Sequence, residues 1–284
     1  MQEWVGKLKA FPERFVLLDI PADNDFITWF ADVQQRYALK PFLRIGTPDP
    51  YFMQNRYQAD DGSELFFFVH SHLHKRYKGR VTFAPEITKG RYPWIWDMHT
   101  GQRYRIELND GSYELEMSPA DSRMIVFDKN KKGPQWRQLP VQGVTTQTLR
   151  GWDVELKHSR ENWTKTTRMD DPTDLKETEF VNFTGTVTYK TTVDVANPAD
   201  TVLNLGRVWG IAEVKVNGED LGVRWYGDQT YDVSSCLKTG SNRIEVKVTT
   251  TLLNYMKTLQ DNATAQYWTE DGFKKQPLSS MGLV

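Results

Sequence analysis

Along most of this chain apolar and polar positions alternate, the period-2 signal of strands with one buried face. The clearest stretch is Thr201–Tyr231. Val202, Leu203 and Leu205 open it, and Gly206 interrupts the run. Ala212, Val214 and Val216 then alternate with Glu213 and Lys215. Asn217-Gly218 supplies the positive φ angles of a tight hairpin turn, and Leu221, Val223 and Trp225 return on its far side. The pattern predicts three successive strands in the middle of an antiparallel sandwich. Trp225, in phase with Leu221 and Val223, is expected in the core.

The same signal marks out two β-rich regions. In residues 46–130, Asp61-Gly62 separates Asn55–Tyr57 from the apolar Leu65–Val69. Asp110-Gly111 separates Arg105–Leu108 from Tyr113–Met117 and predicts a second hairpin. Arg123–Phe127 is a further strand, and Trp94 and Trp96 share a phase on another. In residues 149–284, Trp152–Leu156 should be the first strand, Asn162–Glu179 a polar surface loop and Ile244–Val248 a late strand. Thr249–Ala265 has no clear period. Residues 131–148, rich in Gly, Pro and Gln, predict a linker between the two.

Residues 1–45 read differently. Phe15–Ile20 is a short apolar run ending at Pro21, expected as a buried strand. Asp23 or Asn24 can cap a helix, Phe26, Trp29, Phe30, Val33 and Tyr37 recur at helical spacing, and Pro41 stops them. One strand and one helix cannot bury a core, so this is an α/β remnant or a cap on the adjoining β-rich region. The fold class is therefore mainly β: two antiparallel sandwiches behind a small α/β piece.

Composition narrows the partners. Across 284 residues the formal net charge is −1, without the basic excess of a nucleic-acid binder. No run approaches the roughly 20 apolar residues of a membrane helix, and no basic start with an apolar core marks a signal peptide. Cys236 is the single cysteine, which excludes an internal disulfide and is neutral about compartment. The ten Trp suit sandwich cores and sugar-binding faces alike.

Three separated motifs carry a resemblance. Phe183–Tyr189 (FTGTVTY), Asn204–Trp225 (NLG…AEV-x-VNG…LG…W) and Leu237–Val246 (LKTGSNRIEV) occur in one order. Together they resemble the galactose-binding-like jelly-roll domain of glycoside hydrolase family 2. They are closer still to the C-terminal sandwich of the family 106 α-L-rhamnosidases. The match covers about Trp152 to Val248. More weakly, Trp94–Gly101 resembles a Trp-Asp…Thr-Gly stretch of the same proteins, and Met281–Val284 a segment near their ends. The resemblance implies that the second region is a jelly-roll sugar-binding-like domain. It also implies an exported bacterial parent, a carbohydrate substrate, and a catalytic domain elsewhere in the same polypeptide as this chain's partner.

The candidate chemistry is thinner. A glycosidase needs two carboxylates flanking the scissile bond. Asp97, Glu213, Asp228 and Asp232 are present, but their spacing singles out no pair, and no strand-helix repeat builds a barrel to carry one. The chain itself is expected not to be catalytic, although enzyme activity stays an open alternative beside an accessory role and an autonomous carbohydrate-binding module. His70, His72 and His74 would project to one side of a strand, where two could reach a metal ion. Their place beside Lys75 and Arg76 reads instead as a solvated strand end, and no metal, calcium or other cofactor is indicated. Sugar rings stack on aromatic faces while charged and amide groups take hydroxyls. On that ground Trp209, Arg224, Tyr226, Asp228 and Tyr231 are the candidate carbohydrate-binding residues, with Trp209 and Tyr226 as the exposed aromatics.

Overall fold

The computed structural model describes residues 2–12, 14–22, 25–137, 145–271 and 277–284. Its backbone divides into two compact units, 1–44 and 45–284.

The first unit holds α1 (Gln2–Leu8) and α2 (Phe26–Arg36). The periodic residues do form a helix. It ends short of Pro41, where Ala38 takes a positive φ of 49°. The expected caps Asp23 and Asn24 lie outside the described residues, and Asp25 stands at the N-cap. The expected strand at Phe15–Ile20 does not form. The segment makes no ladder, and Phe15, Val16, Leu17, Leu18 and Ile20 are all exposed. An apolar run becomes a strand only when a neighbouring strand takes its backbone hydrogen bonds. The short strand β1 (Leu43–Ile45) lies at the boundary between the units.

The second unit is mainly antiparallel β and contains two sandwiches. In the first, β2 (Phe52–Gln58), β3 (Glu64–His70), β5 (Tyr92–Trp96), β6 (Arg103–Arg105) and β8 (Asp121–Asp128) form a five-stranded sheet in the order β2-β3-β8-β5-β6. The single turn α3 (Pro85–Thr88) precedes β5. β4 (Tyr77–Phe83) pairs with β7 (Ser112–Met117) in the opposing layer. Aromatic rings fill the space between. Phe83 meets Phe66 at 5.0 Å and Phe127 at 4.7 Å, and Phe52 stacks on Tyr77 at 4.1 Å. Each fully buried Phe contributes roughly 1.5–3 kcal/mol.

The Asp61-Gly62 hairpin is present as β2–β3. The Asp110-Gly111 hairpin is not. Both residues take the positive φ of a tight turn, 47° and 74°, yet only Asn109 and Ser112 pair across it. β6 runs into one sheet and β7 into the other, so this turn carries the chain between layers. The turn signal fixes the local reversal and leaves open which sheet each arm joins.

Within the expected linker, residues 131–137 are held against the first sandwich. Trp136 N–H donates to Arg105 C=O at 2.8 Å and Arg105 N–H to Pro134 C=O at 2.7 Å. Gly133 lies so close to Trp94 that an added Cβ would sit 2.6 Å from the indole. The segment is a strap on the edge strand β6. Residues 138–144 of the expected linker lie outside the described residues.

In the second sandwich a six-stranded sheet runs β10-β9-β11-β17-β14-β15. Its strands are β9 (Trp152–His158), β10 (Thr164–Met169), β11 (Gly185–Val195), β14 (Ile211–Val216), β15 (Glu219–Arg224) and β17 (Gly240–Thr249). Its buried face packs on two short pairs: β12 (Val202–Asn204) with β16 (Thr230–Asp232), and β13 (Val208–Trp209) with β18 (Gly282–Leu283). Short helices α4 (Leu253–Met256) and α5 (Ala263–Gln266) occupy the aperiodic stretch after β17. The predicted loop at 162–179 is only partly a loop. β10 forms the sheet edge within it, and Leu175 is fully buried. Trp225 is not in the core. It follows the end of the edge strand β15, whose pairing with β14 shifts register between Glu213 and Lys215 of β14, and it is 67% exposed.

Candidate carbohydrate-binding cleft

A cleft of about 290 Å³ opens between the two sandwiches. The first contributes Arg76 from the loop before β4, Asp97 and His99 from the turn after β5, Asp121 and Arg123 from β8, and Trp136 from the strap. The second contributes Arg224 at the end of β15 and the Gly227–Asp232 segment leading into β16.

Charge pairing crosses the cleft. Arg76 Nη1 and Nη2 donate to Asp228 Oδ1 and Oδ2, both at 2.9 Å. Those hydrogen bonds hold the guanidinium pKa above its usual value. Such a two-pronged pair fixes orientation as well as distance. Beside it, Gly227 N–H donates to Ala120 C=O at 3.2 Å. At Gly227 a Cβ would lie 2.8 Å from Asp121 Oδ1, and φ is 71°, so glycine permits both the turn and the close approach. Asp121 is itself buried and accepts Ser118 N–H and Ser122 N–H. On the other side, the strap's Arg137 pairs with Asp200 of the second sandwich.

Of the five sequence candidates, Arg224 and Asp228 line the cleft, and Tyr231 and Tyr226 pack against its Arg224 and His99. Arg224 Nη1 donates to Asp228 C=O at 2.8 Å, and its guanidinium lies 4.5 Å from the Tyr231 ring centre. Tyr231 is buried beneath it, and burial pushes its phenol up to about 12. It supports Arg224 from below. Tyr226 is half-buried and stacks on His99 at 4.4 Å, with rings 21° apart. Burial, then the nearby Arg224 charge, lowers the His99 pKa below its ordinary value. Burial raises Tyr226. Trp209 stands apart. It is half-buried on β13, paired with Gly282, and does not line the cleft.

The sequence reading missed Arg76, His99, Asp121 and Trp136. Arg76 and Asp228 lie 152 positions apart, and no local pattern links them. Trp136 fell inside an expected linker, yet it packs against Tyr104 and under Arg123.

The histidine run divides. His70 ends β3 and is buried, with Nδ1 3.2 Å from Ser118 C=O, so it is not a solvated end. His72 lies beyond the strand, and its Nδ1 accepts the N–H groups of His74 and Lys75. That lone pair is spent on the turn. Among the described residues no group of three or more His, Cys, Asp or Glu is placed to hold a metal ion. No helix among them is long and apolar enough to cross a membrane.

No family model matches the chain. A rhamnosidase of known structure from Novosphingobium sp. PP1Y aligns over 90% of it and 25% of its own length, with a TM-score of 0.65 and 20% identity. The chain shares the fold of that part of the rhamnosidase. A putative beta-glucuronidase from Formosa agariphila is 40% identical over 72 residues, which is 24% of this chain and 6% of that protein. The chain thus spans a small part of the length of either.

Proposed function

We propose that the chain is a non-catalytic β-sandwich region of a glycoside-hydrolase-like protein acting in carbohydrate degradation. Within the parent, which we place among exported bacterial proteins, it braces the catalytic domain of the same polypeptide and engages carbohydrate at the cleft between its sandwiches. The shared fold with a rhamnosidase and the local identity to a glucuronidase support the carbohydrate reading. The accessory reading is carried by one observation: three carboxylates of the cleft are engaged in hydrogen bonds within the protein. Asp228 is clasped by Arg76, Asp121 caps backbone N–H groups, and Asp97 accepts His99 N–H at 2.9 Å. A hydrolytic pair needs one carboxyl free to give a proton and another free to attack or to activate water.

A second reading, an autonomous carbohydrate-binding module, is favoured by Trp225, which is exposed and in edge-on contact with Tyr226 at 4.9 Å. The test of both is incubation with chromogenic α-L-rhamnoside and β-D-glucuronide. No release of chromophore is expected. Turnover that survives purification and falls with Asp97→Asn would overturn the non-catalytic assignment.

A further inference from the structure

The outward face of the five-stranded sheet carries a second cavity, of about 430 Å³, which shares no lining residue with the cleft. Side chains directly opposite one another across antiparallel strands share a face. Register therefore aligns Tyr57, Leu65, Val126 and Trp94 in one row, and Asn55, Phe67, Met124 and Trp96 in the next. The inward residues Phe66 and Phe68 are fully buried, whereas Leu65 and Phe67 between them remain half-covered. Tyr57 at one side is 64% exposed and Trp96 at the other 38%. Two open rings thus flank an apolar floor, in a volume typical of small-molecule sites.

The charges around this floor balance. Arg103 and Lys129 supply two positive groups, Asp61 and Asp128 two negative ones. Asp128 Oδ1 accepts Trp94 Nε1–H and Asn130 N–H, and its Oδ2 accepts Arg103 Nη1–H. Asp61 accepts Ser63 N–H. The formal charges of the lining cancel, and no excess of either sign is left for a charged ligand. Apolar C–H faces to stack on rings, with hydroxyls for a polar, neutral rim, are the properties of an uncharged sugar chain.

We propose that this sheet face is a second carbohydrate site, selective for neutral oligosaccharides over acidic ones, with Tyr57 and Trp96 as its stacking platforms. The proposal rests on the carbohydrate reading above.

The test is a titration of the whole chain with galactotetraose and with tetragalacturonate, followed by tryptophan fluorescence and protein NMR. The neutral sugar should give a saturable change, and the acid little or none. Tyr57→Ala or Trp96→Ala should weaken binding about tenfold, the loss of roughly one good stacking contact. Trp96→Phe, which keeps a ring, should stay within about threefold, and so separates a lost platform from a lost fold. A response that survives both alanine variants and disappears in Tyr226→Ala would sink the sheet-face site and leave the cleft reading standing. Preference for tetragalacturonate would overturn the charge argument. A flat response to both sugars in the unmodified chain would overturn the proposal.

Discussion

Single residues explain why the sequence motifs take the form they do. Asn242, of the Leu237–Val246 motif, is buried and uses its whole amide. Its Oδ1 accepts from Lys238 N–H and from Asn217 Nδ2, and its Nδ2 donates to Lys238 and Gly240 C=O. Asn217 is the residue of the Asn-Gly turn, at φ 53°, and its Oδ1 accepts Arg243 N–H. Two motifs far apart in sequence are therefore one hydrogen-bonded corner. Asn242→Ala should destabilise the chain by about 2–3 kcal/mol, since buried partners are left unmet; chemical denaturation reads this. Tyr189 and Tyr231 give a pH prediction. Both are buried, and burial pushes each phenol from about 10 up to about 12. The stability that each contributes is whole below pH 10 and is lost as pH rises toward 12. Tyrosinate absorbance should lag behind that of a denatured control and then rise together with unfolding. A tyrosinate signal below pH 10, without unfolding, that is lost in the Tyr189→Phe/Tyr231→Phe double variant would show that these two rings are open to solvent.

At the scale of elements, alternation and turn residues carried much of the second sandwich. β9, β14 and the Asn217-Gly218 hairpin stand where the pattern places them. It failed where an element's fate depends on a distant partner. Phe15–Ile20 is apolar enough for a strand and finds no ladder. Trp225 keeps the phase of Leu221 and Val223, but edge strand β15 buries little of either face. The strap at 131–137 has loop composition and is held by backbone bonds to Arg105, which composition does not encode. Gly185, inside the FTGTVTY motif, is the reverse case, a motif residue with a packing reason. Its φ is 148°, and a Cβ there would lie 2.1 Å from Lys157 C=O in the neighbouring strand. Gly185→Ala should cost about 3 kcal/mol or more, at the severe end of single substitutions. An unchanged thermal midpoint would show that β9 and β11 can part without penalty.

For the whole molecule, the cleft was only half legible. Arg224, Tyr226, Asp228 and Tyr231 come from one continuous stretch, and aromatic and charged composition found them. Their counterparts Arg76, His99 and Asp121 come from a different sandwich, and only the folded chain brings them together. The Arg76–Asp228 pair is partly exposed, so its loss should cost only about 1 kcal/mol. Its effect on coupling should be larger than its effect on stability. Asp228→Ala is expected to broaden a single calorimetric unfolding transition of residues 45–284 into two, one per sandwich. A transition that stays single and sharp would show that the sandwiches are held by other contacts. The central claim is that this region binds sugar chains without cutting them. The most direct measurement is NMR of the chain incubated with galactotetraose and with rhamnose-containing oligosaccharides, observing protein and sugar signals together. The account predicts protein shifts that saturate with added sugar while the sugar spectrum shows no new reducing ends. New reducing ends that accumulate with time would contradict it.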